Sequence, residues 1–302
     1  MSALTLGPLL FNWKPEQRRD FYARVADEAP VDCVYLGEVI CSKREPFFVD
    51  DLPAIAERLV AAGKQVVYST LALVTTDREM EEIRARCGDK TMIEANDIAS
   101  VNLLAGAPFV SGPFINTFNE ATIDFLVARG AVRIGLPVEL SAAAIATLAR
   151  HNPVETEALV FGRQGLSLSM RCYHARAYGL HKDSCQFVCE LDPDGLAADQ
   201  LDGKPLLVVN GTQTLSHGYA AAFDDLAPLQ AAGVSHFRLS PQTTDMVKVA
   251  SLFRAALDGR IAPAEAQAEL GAQIAPTPLV DGYMRGRAGM SFSGGAAGGP
   301  RN

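Results

Sequence analysis

The chain has 302 residues, 48% of them hydrophobic, which is enough apolar material to bury a full core. A formal net charge of −8 and a pI near 5.2 argue against a broad nucleic-acid-binding surface, which is normally basic, while leaving room for a local basic pocket. No apolar run reaches the roughly 18 residues of a membrane span, and the opening Met-Ser-Ala-Leu-Thr-Leu-Gly-Pro has no basic stretch before an apolar core, so a cytoplasmic location without a signal peptide is expected.

Short apolar runs alternate with amphipathic stretches along the chain. In order, strands are expected at Leu4–Phe11, Cys33–Gly37, Gln65–Leu71, Thr91–Ala95, Phe109–Ile115, Val132–Pro137, Thr156–Gly162, Leu206–Asn210 and His236–Leu239. Helices are expected at Pro15–Glu28, Asp50–Ala62, Asp77–Arg86, Asp97–Leu104, Asn119–Arg129, Ser141–Arg150 and Thr243–Leu257, several opening on Asp, Ser, Thr or Asn at an N-cap position. βα units at roughly 25-residue spacing predict a parallel sheet, because parallel neighbours need a crossover helix. Eight or nine strands suit a closed barrel of roughly 250 residues better than an open doubly wound sheet. Neither a G-x-G-x-x-G after the first strand nor a G-x-x-x-x-G-K-[ST] occurs. The expected fold is therefore one TIM-like (β/α) barrel over residues 1–290, with irregularity allowed for and a cysteine-bearing loop inserted after strand seven. A flexible Gly/Ala-rich tail is expected over 291–302.

Six cysteines are too few for a disulfide scaffold in a chain of this length. Cys172, Cys185 and Cys189 follow a C-x12-C-x3-C spacing that matches neither a zinc ribbon nor a ferredoxin run. Spacing alone leaves a metal site and three unrelated buried thiols equally open. Topology separates the cysteines further. In a βα barrel the functional groups gather on loops after the C-terminal strand ends. Cys41 lies four residues past Gly37 and Cys172 ten past Gly162, so Cys41, Cys172, Cys185 and Cys189 all belong to that mouth. Cys33 begins a strand and Cys87 ends a helix, where packing is the expected role. Four thiolates could hold a [4Fe–4S] cluster or a structural zinc. Lys43, Arg44, Arg163, Arg171, Arg176, Lys182, His174 and His181 lie on the same loops, either offsetting thiolate charge or simply solvated. The two histidines are expected as surface or supporting groups, since four cysteines already fill a shell.

Asn12, Glu38, Thr70, Glu94, Asn96, Asn116, Glu139, Arg163 and Ser240 fall at predicted strand ends. Glu38 and Arg163 are the catalytic candidates, and Glu38 reads equally well as a carboxylate paired with Lys43 or Arg44. Glu94 is expected inside the barrel in a structural ion pair, because buried ionisable groups need partners.

The stretch Ser169-Met-Arg-Cys172-Tyr-His-Ala-Arg176, the pair Cys185 and Cys189, and Cys41 far upstream together form a pattern. Leu6-Gly-Pro-Leu-Leu-Phe-Asn-Trp13, Val34-Tyr-Leu-Gly-Glu-Val-Ile-Cys-Ser-Lys-Arg44 and Ser240-Pro-Gln242 accompany it. The whole resembles the collagenase-like peptidase family, in particular its branch serving oxygen-independent ubiquinone biosynthesis, over roughly Leu4–Arg260. The resemblance implies a [4Fe–4S] cluster on Cys41, Cys172, Cys185 and Cys189, and a heterodimer with a homologous UbiU subunit that carries its own cluster. It also implies oxygen-independent hydroxylation of a prenylated aromatic substrate, with a sterol-carrier-like lipid-binding accessory protein. Two alternatives stay open: tRNA uridine hydroxylation, the activity of a sibling branch, and a zinc-stabilised scaffold without catalysis. Peptidase chemistry has no support in the residues, for neither H-E-x-x-H nor G-x-S-x-G occurs.

Overall fold

The computed structural model describes residues 2–88 and 91–293. The first half of the chain and a little more alternates strand and helix: β1 (Ala3–Leu6), α1 (Pro15–Glu28), β2 (Cys33–Leu36), α2 (Leu52–Ala61), β3 (Gln65–Ser69), α3 (Asp77–Cys87), β4 (Ile93–Ala95), α4 (Ile98–Leu103), β5 (Phe109–Ser111), α5 (Glu120–Val127), β6 (Ala131–Gly135), α6 (Ala142–His151) and β7 (Glu155–Leu168). An excursion follows, made of α7 (Tyr173–Ala177), β8 (Leu196–Asp199), β9 (Pro205–Asn210) and β10 (Gln213–Ala221). The alternation then resumes with α8 (Leu226–Ala231), β11 (His236–Leu239), α9 (Met246–Leu257), α10 (Pro263–Ile274) and β12 (Leu279–Val280). No helix among the described residues is long and apolar enough to cross a membrane.

β1 through β7 pair in sequence, all parallel, and β11 pairs in parallel with both β7 and β1. The ring is closed by eight strands, so the fold is a TIM-like barrel. Leu206–Asn210, counted above among the strands, stands outside the ring as β9, antiparallel to β10 and β8. Its apolar run resembles a barrel strand because it is partly buried in the antiparallel extension that continues the sheet from β7 through β10. β7 is twice its expected length. Its first half is barrel wall, and its second half leaves the barrel to pair antiparallel with β10. β5 stops at Ser111 because Pro113 opens a 3-10 turn that occupies Pro113–Ile115.

Local chemistry explains the helix starts. Thr76 accepts from the Glu79 amide, and the Glu79 carboxylate accepts in return from the Thr76 amide, a complete capping box on α3. Asp97, Asn119 and Ser141 cap α4, α5 and α6 through their side-chain oxygens. Strand side chains alternate between two surroundings: Val34 and Leu36 join the large core beneath the helices, whereas Cys33 and Tyr35 pack with Val67 and Val110.

The barrel interior is tied by charge. Arg238 on β11 reaches Glu94 of β4 at 2.6 Å and Glu157 of β7 at 2.5 Å. Tyr35 donates to Glu157 (2.8 Å), and Arg133 on β6 donates to the Tyr35 oxygen (2.9 Å). Thr5 donates to Glu157 and Ser69 to Glu94, at 2.5 and 2.6 Å. Burial alone would raise the Glu157 carboxyl, but Arg238 and Arg133 outweigh it and hold the group at about 2. Six strands other than β4 thus meet one another through this network and Glu94.

The C-terminal stretch is anchored where it begins. Ser291 accepts from the Asp281 amide, and the Ser293 amide donates to the Asp281 carboxylate. The rest of the expected tail, 294–302, lies outside the described residues.

Candidate functional site

Cys41, Cys172, Cys185 and Cys189 line one pocket beside the barrel mouth. Three segments bring them there. Cys41 follows β2, Cys172 stands at the N-cap of α7, and Cys185 and Cys189 bracket a short turn before β8. Lys43, Arg44, Lys182, His174, Phe187 and Gly211 complete most of the wall, around a small cavity of about 20 Å³. All six cysteines are free thiols.

Each segment is held by identifiable bonds. The Glu38 carboxylate accepts from the amides of Ile40 (2.8 Å) and Cys41 (3.0 Å), which curls the chain at the first sulfur. Ser42, the next residue, donates to Glu79 at 2.6 Å, so the capping box of α3 also fastens this loop. Cys172 Sγ accepts from the Ala175 amide at 3.4 Å, serving as the cap of α7. Cys189 Sγ accepts from Asn12 Nδ2 at 3.5 Å. Between the last two cysteines, Gln186 and Phe187 both adopt left-handed backbone, at φ 49° and 55°. Two successive non-glycine residues there carry strain on the order of 1–3 kcal/mol each. Phe187 is pinned by an edge-on contact with Phe47, ring centroids 4.6 Å apart. Lys43 bridges the loops by donating to the Lys182 carbonyl (2.7 Å) and to Asp183 (3.2 Å).

Arg44 sets the electrostatics. Its side chain is 1% exposed, and the hydrogen bonds it makes go to neutral oxygens, Leu10 O at 2.8 Å and Asn210 Oδ1 at 2.9 Å, with Nε left without a partner. A buried cation requires counter-charge. Burial would lower its pKa, yet the balance runs upward because Cys189, Glu38 and Cys41 stand close by. For the bare thiols the direction is the opposite. Burial raises Cys41 and Cys172, with Arg44 pulling both down.

The remaining residues singled out in the sequence distribute unevenly. Glu38 is buried at the pocket's edge and shapes the Cys41 turn through backbone amides; no hydrogen bond joins it to Lys43 or Arg44 among the described residues. Arg163 lines neither this pocket nor the barrel mouth: it pairs with Asp194 at 2.5 Å and donates to the carbonyls of Ser216 and His217. The guanidinium fastens the excursion to β10. His174 is fully buried rather than at the surface and lines the pocket, its Nε2 2.8 Å from Asp192, whose carboxylate also accepts from Tyr178. His181, Arg171 and Arg176 are exposed. Cys33 is buried at the start of β2 and Cys87 ends α3, both away from the pocket lining. Asn12, Glu94, Asn96 and Ser240 are all buried.

Among the described residues, no three His, Cys, Asp or Glu side chains are grouped closely enough to hold one metal ion. Four free thiols from three segments are the donor type that either an iron–sulfur cluster or a zinc ion takes, and the buried Arg44 places positive charge beside them.

Sequence reasoning missed the second cavity, which lies at the barrel mouth under the excursion and is lined by Gln213. A signal for it existed. Asn210-Gly211 between two apolar runs is a hairpin signature, and β9 and β10 are joined there by the two-residue loop Gly211-Thr212.

A family model described as peptidase family U32 matches residues 18–291 of the chain. Among solved structures, the apo form of a homocysteine methyltransferase from Escherichia coli is similar at a TM-score of 0.40 and 11% identity, over 86% of this chain and 96% of that one.

Proposed function

Since the chain belongs to peptidase family U32, we propose that it is an iron–sulfur member of that family and not a protease. In the finer reading it is a UbiV-type subunit of an oxygen-independent hydroxylase acting on aromatic-ring precursors of ubiquinone. It would work as a heterodimer with a UbiU-type homologue and receive its prenylated substrate from a sterol-carrier-like protein. One observation carries the reading: Cys41, Cys172, Cys185 and Cys189, brought from distant segments, line a single pocket walled by the buried Arg44.

Cys41, Cys172, Cys185 and Cys189 would hold a [4Fe–4S] cluster, which when bound supplies one-electron transfer that side chains cannot. Arg44 supplies positive charge against the thiolates, and Asn12 and the Ala175 amide direct hydrogen bonds at two of the sulfurs. Glu38 and Glu79 fix the Cys41 loop before anything binds. In this reading the four thiols are committed to the cluster, whereas a thiol protease needs its thiol free and paired with a base.

Anaerobic purification with iron, sulfide and zinc analysis tests the proposal. About four irons and four sulfides per chain, with a broad absorption band near roughly 400 nm, are expected of a cluster on four thiolates. Stoichiometric zinc without iron under strict anaerobiosis would overturn it and leave a structural site.

A further inference from the structure

The four cysteines of the pocket are not held alike. Three of the sulfurs each receive an N–H donor: the Lys43 amide at Cys41, the Ala175 amide at Cys172 (3.4 Å) and Asn12 Nδ2 at Cys189 (3.5 Å). Each donor sits on a part fixed by other bonds. Lys43 follows the turn that Glu38 and Glu79 fasten, Ala175 is inside α7, and Asn12 is buried between β1 and α1. A donated N–H aims a thiolate and steadies its charge. Among the described residues, no hydrogen bond reaches Cys185 Sγ. The backbone there differs too. Gln186 and Phe187, which follow Cys185 directly, both take left-handed φ, 49° and 55°. Side chains other than glycine enter that region at a cost, so two in succession must be held there. What holds them is peripheral: Phe187 rests against Phe47, and Lys43 Nζ donates to the Lys182 carbonyl and to Asp183. Both clamps come from the Cys41 loop, and neither touches the sulfur. Asp183, Ser184 and Gln186 are exposed, so this turn faces solvent, whereas Cys189 is buried.

We propose that Cys185 is the releasable ligand of the four. Its turn relaxes outward while Cys41, Cys172 and Cys189 keep the metal group, which opens one metal corner to a small oxygen or nitrogen donor from solvent. The inference deepens the reading that these cysteines share one metal group, and rests on it. Release is a ligand exchange without change of oxidation state. The bond from the metal to Cys185 Sγ breaks, its electron pair leaves with the thiolate, and a lone pair of the incoming donor takes its place. Relaxation of two left-handed residues offsets part of the lost bond, a contribution with no counterpart beside Cys41 or Cys172. The motion is local to the turn. The base of the excursion, where β7 pairs with β10, stays in place.

Alkylation of the full chain, purified anaerobically with its metal, is the test. Iodoacetamide at limiting dose, read by peptide mass spectrometry, should label Cys185 at least about tenfold faster than Cys41, Cys172 or Cys189, which corresponds to about 1.4 kcal/mol of easier release. Gln186→Asn should slow Cys185 labelling several-fold, because asparagine enters left-handed backbone more readily than glutamine and so tightens the turn. Cys185→Ala should keep most of the wild-type metal, where Cys172→Ala loses it. Labelling of Cys185 no faster than of the other three, unchanged labelling in Gln186→Asn, or a Cys185→Ala chain as metal-free as Cys172→Ala would each overturn the proposal. If Cys185→Ala does not fold, the labelling order in the wild type decides. The two readings separate on one sample. Iron-loaded protein with four equal labelling rates sinks this inference and leaves the iron reading standing, whereas zinc-loaded protein labelled first at Cys185 does the reverse. Protein that binds neither metal overturns both.

Discussion

Replacing Arg238 by Met should cost the barrel several kcal/mol and reverse the pH dependence of its stability. In the wild type the Glu157 carboxyl lies at about 2 against an ordinary 4.5, a difference of 2.5 units. At about 1.36 kcal/mol per unit, that depression corresponds to on the order of 3 kcal/mol at neutral pH. Because the folded value is depressed, this stability is present above pH 4.5 and lost as pH falls toward 2. Removing the guanidinium leaves Glu94 and Glu157 buried at 0% and 1% exposure with Arg133 as the remaining nearby cation. Breaking a buried pair in this way costs about 3–5 kcal/mol. The stranded Glu157 carboxylate then titrates above its unfolded value, so the variant should gain stability as pH falls from 7 toward 4.5, where the wild type is flat. Urea unfolding at pH 7, 6 and 5 measures both effects. A loss below about 1 kcal/mol at pH 7, or a variant as flat as the wild type, would refute the assignment of Arg238 as the interior's charge anchor.

Three further outcomes follow from the same coordinates. Cys172→Ala should abolish iron retention in anaerobically purified protein, whereas Cys87→Ala, on the far end of α3, should leave the iron content unchanged. Thr76→Ala removes the cap of α3 and should lower stability by about 1 kcal/mol in urea titrations; a loss indistinguishable from zero would mean that the Glu79 bonds to Ser42 and Thr75 suffice. Gly211→Ala should be destabilising and should also reduce iron retention. Its φ is +62° and the added Cβ would lie 2.5 Å from Arg44 Nη2, so the guanidinium must move. Full iron occupancy in that variant would argue against a role for Arg44.

The barrel was legible because each βα unit carries its own local signals. The caps Asp97, Asn119 and Ser141 mark helix starts, and short apolar runs mark the parallel strands. Cys41 could be joined to Cys172, Cys185 and Cys189 without coordinates, since loops after barrel strands share one face. Elements whose partners are remote in sequence were not legible. β10 breaks its alternation at register shifts near Thr214 and Leu215, and it becomes a strand by pairing with β7 and β9. α8 is six residues with Pro228 inside, too short to show a period. α10 presents an alanine-rich stripe with Gly271 in it, weak as a hydrophobic signal although Pro263 marks its start. Gln213 looks like any polar residue beside a turn. Its burial depends on the excursion folding back over the mouth, which no local pattern encodes. The Arg163–Asp194 pair was hidden for the same reason, since its partners lie 31 positions apart.

β7 gives the molecule a mechanical property. Its backbone runs unbroken from Glu155 in the barrel wall to Leu168 in the excursion, braced by β6 and β11 along its first half and by β10 along its second. A ribbon clamped at its base by a closed barrel behaves as a cantilever: it twists readily but resists being swung sideways. The arm bearing Cys172 through Cys189 is therefore mounted on the same rigid body that carries Cys41. Sulfur-to-sulfur spacing is set by the barrel's stiffness instead of by a flexible hinge. Whatever occupies the pocket meets a seat already cut to size, and slow amide exchange should extend along β7 past Gly162 without a step.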